Sequence, residues 1–264
     1  MKKLFSAFLI LSVFLVACSS SKKGSSVTPE TTMKPTPFYE MRIYYAAPGK
    51  LNDLNARFRN NTTRIFSKHG MTNVGYWVPT ENPDNKLIYV LSYPSREARD
   101  ASWKAFGSDP EWQAVAKASE ANGKLVSKVE SVFMLETDYS PSIKMEAESP
   151  IRTFELRTYT ASAGNLQHLH ERFRSNTMKL FKKHGITNVA YWQPVPKADG
   201  TKSDLLVYII AHKDRPTADA SWKAFRDDPN WVKVKAASEV KGGGSLTAKV
   251  ESVFMLPTDY SPIK

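Results

Sequence analysis

The sequence predicts an α+β fold: two tandem ferredoxin-like βαββαβ repeats whose antiparallel sheets pack into one pseudo-dimeric α+β barrel. Three observations predict it. The chain repeats itself over most of its length. Each copy alternates strand and helix periodicities in the order β-α-β-β-α-β. A single four-stranded sheet with both helices on one face leaves its other face bare, and a duplicated chain can cover that face with its own second sheet.

The repeat is read directly from the residues. His69-Gly-Met-Thr-Asn-Val-Gly-Tyr-Trp77 recurs as His184-Gly-Ile-Thr-Asn-Val-Ala-Tyr-Trp192. Residues 96–112 recur at 215–231 with Asp-Ala-Ser-Trp-Lys-Ala-Phe intact, and residues 128–135 recur unchanged at 249–256. Thr-Asp-Tyr-Ser-Pro follows both copies. The first copy spans 38–141 and the second 153–264, joined by a linker over 142–152. The offset between copies grows along the chain. Insertions therefore fall near 197–203 and 241–245, which are rich in Gly, Lys and Asp or Ser and read as loops.

In the first copy, Tyr39, Met41, Ile43 and Tyr45 alternate with Glu40, Arg42 and Tyr44, the period of a strand. Pro48-Gly49 turns the chain. Leu51, Leu54, Phe58, Ile65 and Phe66 then form the apolar stripe of a helix that His69-Gly70 ends. Residues 74–78 and 87–91 are strands around a polar loop. Ser95 opens a second helix carrying Trp103 and Phe106. Asp109-Pro110 opens its continuation, with Asp as N-cap and Pro in the first turn. Residues 128–135 form the last strand. The second copy repeats the scheme.

Before the repeats, residues 1–17 have the form of a lipoprotein signal peptide: Lys2 and Lys3, an apolar stretch over 4–17, and Leu15-Val16-Ala17-Cys18 resembling a bacterial lipobox. Cys18, the sole cysteine, is the expected lipidation site and the expected contact with the membrane. Residues 18–37 form a flexible Ser-, Lys-, Thr- and Pro-rich tether. Ser19 after Cys18 resembles the signal for outer-membrane sorting in Gram-negative cells. The expected location is therefore the cell envelope, on the outer membrane facing the periplasm if the cell is Gram-negative. One cysteine rules out an internal disulfide, a CxxC redox pair and a thiolate zinc site. The formal charge is +11, and loss of Lys2 and Lys3 with the leader lowers it to +9. The basic residues of the first helix of each copy (Arg57, Arg59, Arg64; Arg172, Arg174, Lys179, Lys182, Lys183) read as a solvated face, with anionic envelope lipid as the alternative contact. No nucleic-acid partner is expected at such a location.

Phe38-Tyr-Glu-Met-Arg-Ile-Tyr44, His69-Gly70 before Tyr76-Trp77, and Trp103-x-x-Phe106-x-x-Asp109-Pro110-x-Trp112 resemble the NIPSNAP family. The pattern stands again at 154–159, His184-Gly185, Tyr191-Trp192 and 222–231. The resemblance implies the dimeric α+β barrel superfamily and a biochemistry that is poorly defined. Barrel relatives include cofactor-free monooxygenases, lactone isomerases and heme peroxidases, and fold alone does not choose among these.

Glu40, Arg42 and Tyr44 share one strand face, and Glu155, Arg157 and Tyr159 repeat it. With Met41 and Ile43 assigned to the helix side, this polar face is expected to look into the barrel and to form a ligand pocket. Arg42 and Arg157 would there grip a small anionic ligand. The alternative is a structural salt-bridge network. His69 and His184 end helices, where a protonated ring interacts with the helix dipole. Each is also the candidate general base, and no catalytic residue stands out beyond these two. Tyr76, Trp77, Trp103, Phe106 and Trp112 read as core. His168 and His170 lie two apart on a helix and cannot share one metal, and Tyr93 stands where the second copy has His212. No metal and no cofactor is expected. The preferred reading is a membrane-anchored, non-enzymatic small-ligand-binding or interaction module, with an anionic or hydrophobic ligand and an internal pseudo-dimer. The alternative is a cofactor-independent monooxygenase- or isomerase-like enzyme.

Overall fold

Strand and helix periodicities fold as their spacing requires. The computed structural model describes residues 37–145, 150–196, 200 and 203–264. The expected leader, Cys18 and residues 18–36 of the tether lie outside the described residues, as do 146–149 of the linker and most of 197–202.

In the first copy β1 (Phe38–Ala46) runs antiparallel between β3 (Lys86–Tyr93) and β4 (Val126–Glu136), and β3 pairs on with β2 (Thr72–Pro79). The second copy repeats this with β5 (Thr153–Ala161) between β7 (Leu205–His212) and β8 (Thr247–Pro257), and β6 (Thr187–Pro194) beyond β7. The sheet edges meet across the copies. Val78 pairs with Leu256, and Leu135 with Gln193. Eight strands thereby close into one barrel in the order β1-β3-β2-β8-β5-β7-β6-β4. Closure joins the outer strands of the two copies through three residue pairs at each seam, where each copy alone would have open edges.

The barrel interior is apolar and drawn from both copies: Tyr39, Met41, Trp77, Ile88 and Val90 meet Phe154, Leu156, Trp192, Val207 and Ile209. This overturns the expected facing of β1. Met41 sits in the barrel, and Glu40, Arg42 and Tyr44 look outward toward the helices. The reason is where partners exist. The interior is lined almost wholly by apolar side chains and holds no cation among the described residues, so an ionised carboxylate there would stay uncompensated. The helix layer supplies arginine and indole N–H groups. The alternation on β1 was correct, and its absolute facing was set by chemistry on elements far away in sequence. β3 could not arbitrate, because Leu87, Tyr89 and Leu91 on one face and Ile88 and Val90 on the other are all buried.

The helices pack outside. In the first copy α1 (Leu51–Arg57) and α2 (Thr63–Lys68) are joined by a π-helical turn over Phe58–Thr62. The Thr62 hydroxyl donates to the Arg57 carbonyl at 3.2 Å. The extra residue in this turn brings Ile65 and Phe66 onto the side that Leu54 and Phe58 occupy. α3 (Arg96–Ser108) and α4 (Pro110–Ser119) follow β3. The second copy has α5 (Leu166–Arg172), the same π-helical turn over Phe173–Thr177, α6 (Met178–Lys183), α7 (Arg215–Asp227) and α8 (Pro229–Lys241). Ser95 and Asp109 cap α3 and α4 through Ala98 N and Glu111 N, as their positions in the sequence predicted. Gly70 and Gly185 leave their helices at φ of +75°, where a side chain would be strained.

The repeated Thr-Asp-Tyr-Ser-Pro tails exchange. The tail of each copy crosses to the helix layer of the other. Asp259 is gripped by Arg59 at 2.5 and 2.7 Å, and Tyr260 donates to Asn55 Oδ1 at 2.6 Å. Reciprocally, Arg174 holds Asp138 at 2.6 and 2.7 Å, and Tyr139 meets His170 Nδ1 at 2.7 Å. Two of the basic residues expected in a solvated face are therefore ligands for the opposite tail. Two others, Arg57 and Arg172, are buried.

Candidate functional site

Glu155 is placed by β5 with its carboxylate facing α7. Its oxygens accept from Trp222 Nε1 at 2.8 Å, His212 Nε2 at 3.0 Å, Ser252 Oγ at 2.6 Å and Arg157. Burial alone would raise the pKa of this carboxyl. The donors, His212 and Arg157 foremost, outweigh burial and bring it down to about 2. An ionised Glu155 can only accept, so His212 presents Nε2 as its protonated nitrogen and leaves a buried Nδ1 without a partner.

Arg157 lies two residues along the same face. Its Nε donates to Tyr208 OH at 2.9 Å, one terminal nitrogen to Tyr159 OH at 3.1 Å and the other to Glu155. Its guanidinium stacks over Trp222 at 4.4 Å. Burial disfavours the charged guanidinium, and Tyr208, Tyr159 and Glu155 more than offset it, so its pKa is raised. Glu155, Arg157, Tyr159 and Ser252 form the floor of a cleft of about 740 Å³ between the sheet and the α7–α8 pair. Trp222 and Phe225 from α7 and Trp231 and Val232 from α8 wall it.

The first copy uses the same residues differently. Glu40 accepts from Arg99 at 2.8 Å twice, from Arg42 at 2.7 Å, from Trp103 Nε1 at 3.0 Å and from Tyr93 OH at 3.3 Å. Burial opposes its ionisation, and Arg99 and Arg42 prevail and lower its pKa. In the second copy Ala218 stands where Arg99 stands and His212 where Tyr93 stands, so one guanidinium is missing beside Glu155. The six polar residues grouped from the sequence are thus brought together in two triads, one under each helix pair, and not in a shared barrel interior.

His69 and His184 lie elsewhere. Each bonds through Nε2 to the aspartate that caps the last helix of its copy, Asp109 or Asp228, at 2.7 Å. Lys68 and Lys183, then the histidines, hold these carboxyls below the usual carboxylate range. Neither histidine lines the cleft. Trp222, His212 and Ser252 were not grouped with the site from sequence. The available signal was that Trp103 and Trp222 each carry an indole N–H that must find an acceptor when buried.

A NIPSNAP family model matches residues 39–141 and again 154–262. NipSnap homolog 3B of Mus musculus is 32% identical over 230 residues, covering 86% of both chains. NipSnap homolog 3A of Homo sapiens is 24% identical over the same length and coverage. Among solved structures, a protein assigned as a monooxygenase from Lactobacillus acidophilus NCFM superposes with a TM-score of 0.52 at 9% identity, covering 86% of this chain and 98% of that one. An anthrone oxidase-like protein gives 0.53 at 9% identity, with 86% and 94% covered. At this identity the superpositions establish the barrel fold and not an activity.

Proposed function

The chain belongs to the NIPSNAP family, and on that premise we propose that it is a lipid-anchored binding protein whose second repeat holds one small amphipathic molecule. The carrying observation is the cleft of about 740 Å³ with aromatic walls and a fully paired Glu155–Arg157 floor. Its volume and its mixture of apolar wall and few polar groups suit a small organic ligand.

The alternative, a cofactor-independent monooxygenase- or isomerase-like enzyme, has the barrel superpositions in its favour and needs a group in the cleft poised to take a proton. Glu155 is the carboxylate on the cleft floor. At a pKa of about 2, with four donors on its two oxygens, it is a poor base at neutral pH. Binding is the better reading.

A thermal-shift screen of fatty acids, anionic metabolites and heme tests it, using wild type and Ala236→Trp. Ala236 is an exposed residue of α8 on the cleft wall, so an indole there fills the cleft without disturbing the core. A true ligand at a hundredfold excess over its Kd raises Tm by about 5–10 °C, and the shift vanishes in Ala236→Trp. Equal shifts in both proteins would reject the cleft.

The anchoring part of the proposal rests on Cys18 and its lipobox-like surroundings. It places the protein in the cell envelope, on the periplasmic face of the outer membrane if the cell is Gram-negative. Cys18→Ser is expected to move the protein from the membrane fraction to the soluble fraction, since it removes the thiol that would carry the lipid and no helix among the described residues is long and apolar enough to cross a membrane. Sedimentation of the variant with membranes after a high-salt wash would reject lipidation.

A further inference from the structure

Two copies of one design in one molecule allow each buried group to be compared with its counterpart. Arg57 ends α1, is 7% exposed and lies over Trp112 at 5.2 Å. Its guanidinium meets a carboxylate, Glu120 Oε1 at 3.2 Å, and Ser119 Oγ at 3.3 Å. Arg172 holds the same place at the end of α5, is 6% exposed and lies over Trp231 at 5.3 Å. Among the described residues no carboxylate bonds to it. Glu239, the counterpart of Glu120, is paired with Lys235 at 4.0 Å. Arg172 is left with one long contact to Ser238 Oγ at 3.5 Å, and its Nε, like that of Arg57, is buried without a partner. Burial pulls its pKa down, and Tyr159 and Glu239 oppose that only in part.

A guanidinium desolvated to this degree without a counter-ion is unfavourable, and an incoming carboxylate would relieve it. The space for one exists. A pocket of about 180 Å³ touches Arg172 and shares Tyr159, Phe225, Trp231, Lys235 and Glu239 with the large cleft. Arg157 is less suited to the task, because each of its three nitrogens already donates to a protein oxygen.

We propose that Arg172 is the anion-recognition residue of the cleft: it takes the carboxylate of a chain-bearing amphiphile, in the place Glu120 fills in the first copy, while the chain lies along Trp231, Phe225 and Trp222. This rests on the cleft being the ligand site. The ligand class is then a long-chain carboxylate, bound once per chain. The first copy is closed to it by its own glutamate.

The test is titration of laurate, below its micellar concentration, into the full chain. It is followed by calorimetry and tryptophan fluorescence, with dodecanol as the uncharged probe. Laurate is expected to bind once per chain and dodecanol about tenfold or more weakly. Arg172→Met should weaken laurate about tenfold or more and leave dodecanol unchanged. The mirror substitution Arg57→Met should leave laurate binding intact. Arg172→Lys, which keeps the charge and loses the planar fork, should weaken laurate several-fold and serves if the Met variant does not fold. Wild-type laurate affinity in both Arg172 variants would overturn the inference and leave the cleft standing. Failure of laurate to bind wild type, beside another ligand sensitive to Ala236→Trp, would overturn the carboxylate class alone. Laurate binding sensitive to Arg172 and indifferent to Ala236→Trp would overturn the cleft reading.

Discussion

Glu155→Ala is expected to destabilise the folded protein by about 3–5 kcal/mol, the loss typical of removing one partner from a buried ion pair. The carboxylate is 1% exposed and accepts from four side chains. Without it, the Arg157 cation and the N–H groups of His212 and Trp222 keep their burial and lose their acceptor, and each unmade bond carries a desolvation penalty. Glu40→Ala belongs to the same class, since it strands Arg42 and leaves Arg99 only Asp100. Urea unfolding followed by near-ultraviolet circular dichroism measures both. A loss under about 1 kcal/mol would mean the network contributes little beyond filling space. The same carboxylate gives a pH signature. Its folded pKa, about 2, lies below the ordinary value of 4.5, so the unfolded chain binds the proton first. The stabilisation is fully present above about 4.5 and is lost as pH falls toward 2. Glu155→Ala should therefore flatten the acid limb of the stability–pH curve between those values.

The isolated first repeat, residues 38–141, is expected not to persist as a monomer. Alone it would expose the barrel-facing residues Tyr39, Met41, Trp77, Ile88, Val90 and Met134, a continuous apolar face, together with the open edges of β2 and β4. It would also lose the second copy's tail, with Asp259 off Arg59 and Tyr260 off Asn55. A homodimer would restore all three features, with each fragment's own Thr-Asp-Tyr-Ser-Pro tail crossing to its mate. Sedimentation should show dimer or aggregate. The full chain should unfold in one cooperative transition, because each copy alone keeps its helix–sheet core but loses the barrel core that the two share. A well-dispersed folded monomer of the fragment would refute the shared core.

The fold was legible because its signals are local and were present twice. Strand alternation at Glu40-Met41-Arg42, the caps Ser95 and Asp109, and the glycines after His69 and His184 each act within a few residues, and the repeat supplied the second sheet that closes the barrel. The composition of the candidate site was partly legible too: Glu155, Arg157 and Tyr159 do line the cleft floor or its edge. Their surroundings were not. Strand alternation separates the charged from the apolar face of β1 but carries nothing that says which of the two meets the helices. The deciding groups, Arg99 and Trp103 in one copy and His212 and Trp222 in the other, lie 57 to 67 residues from the carboxylates they bind.

Arg57 and Arg172 mark the same limit more sharply. In sequence they are two basic residues among many on an amphipathic helix. In the fold each ends a helix just before a π-helical turn and is roofed by a tryptophan from the last helix of its copy. That one arginine is answered by Glu120 while the other is not answered by Glu239 is a matter of ångströms between elements more than 60 residues apart. By itself the sequence determined the duplication, the element order, the caps and turns and the family, because each follows from residue periodicity and short-range hydrogen bonding. Tertiary structure alone decided which strand face meets the helices, where the tails cross and which buried cation lacks a counter-ion, because burial, and with it the need for a charged partner, is set by what packs from the far end of the chain.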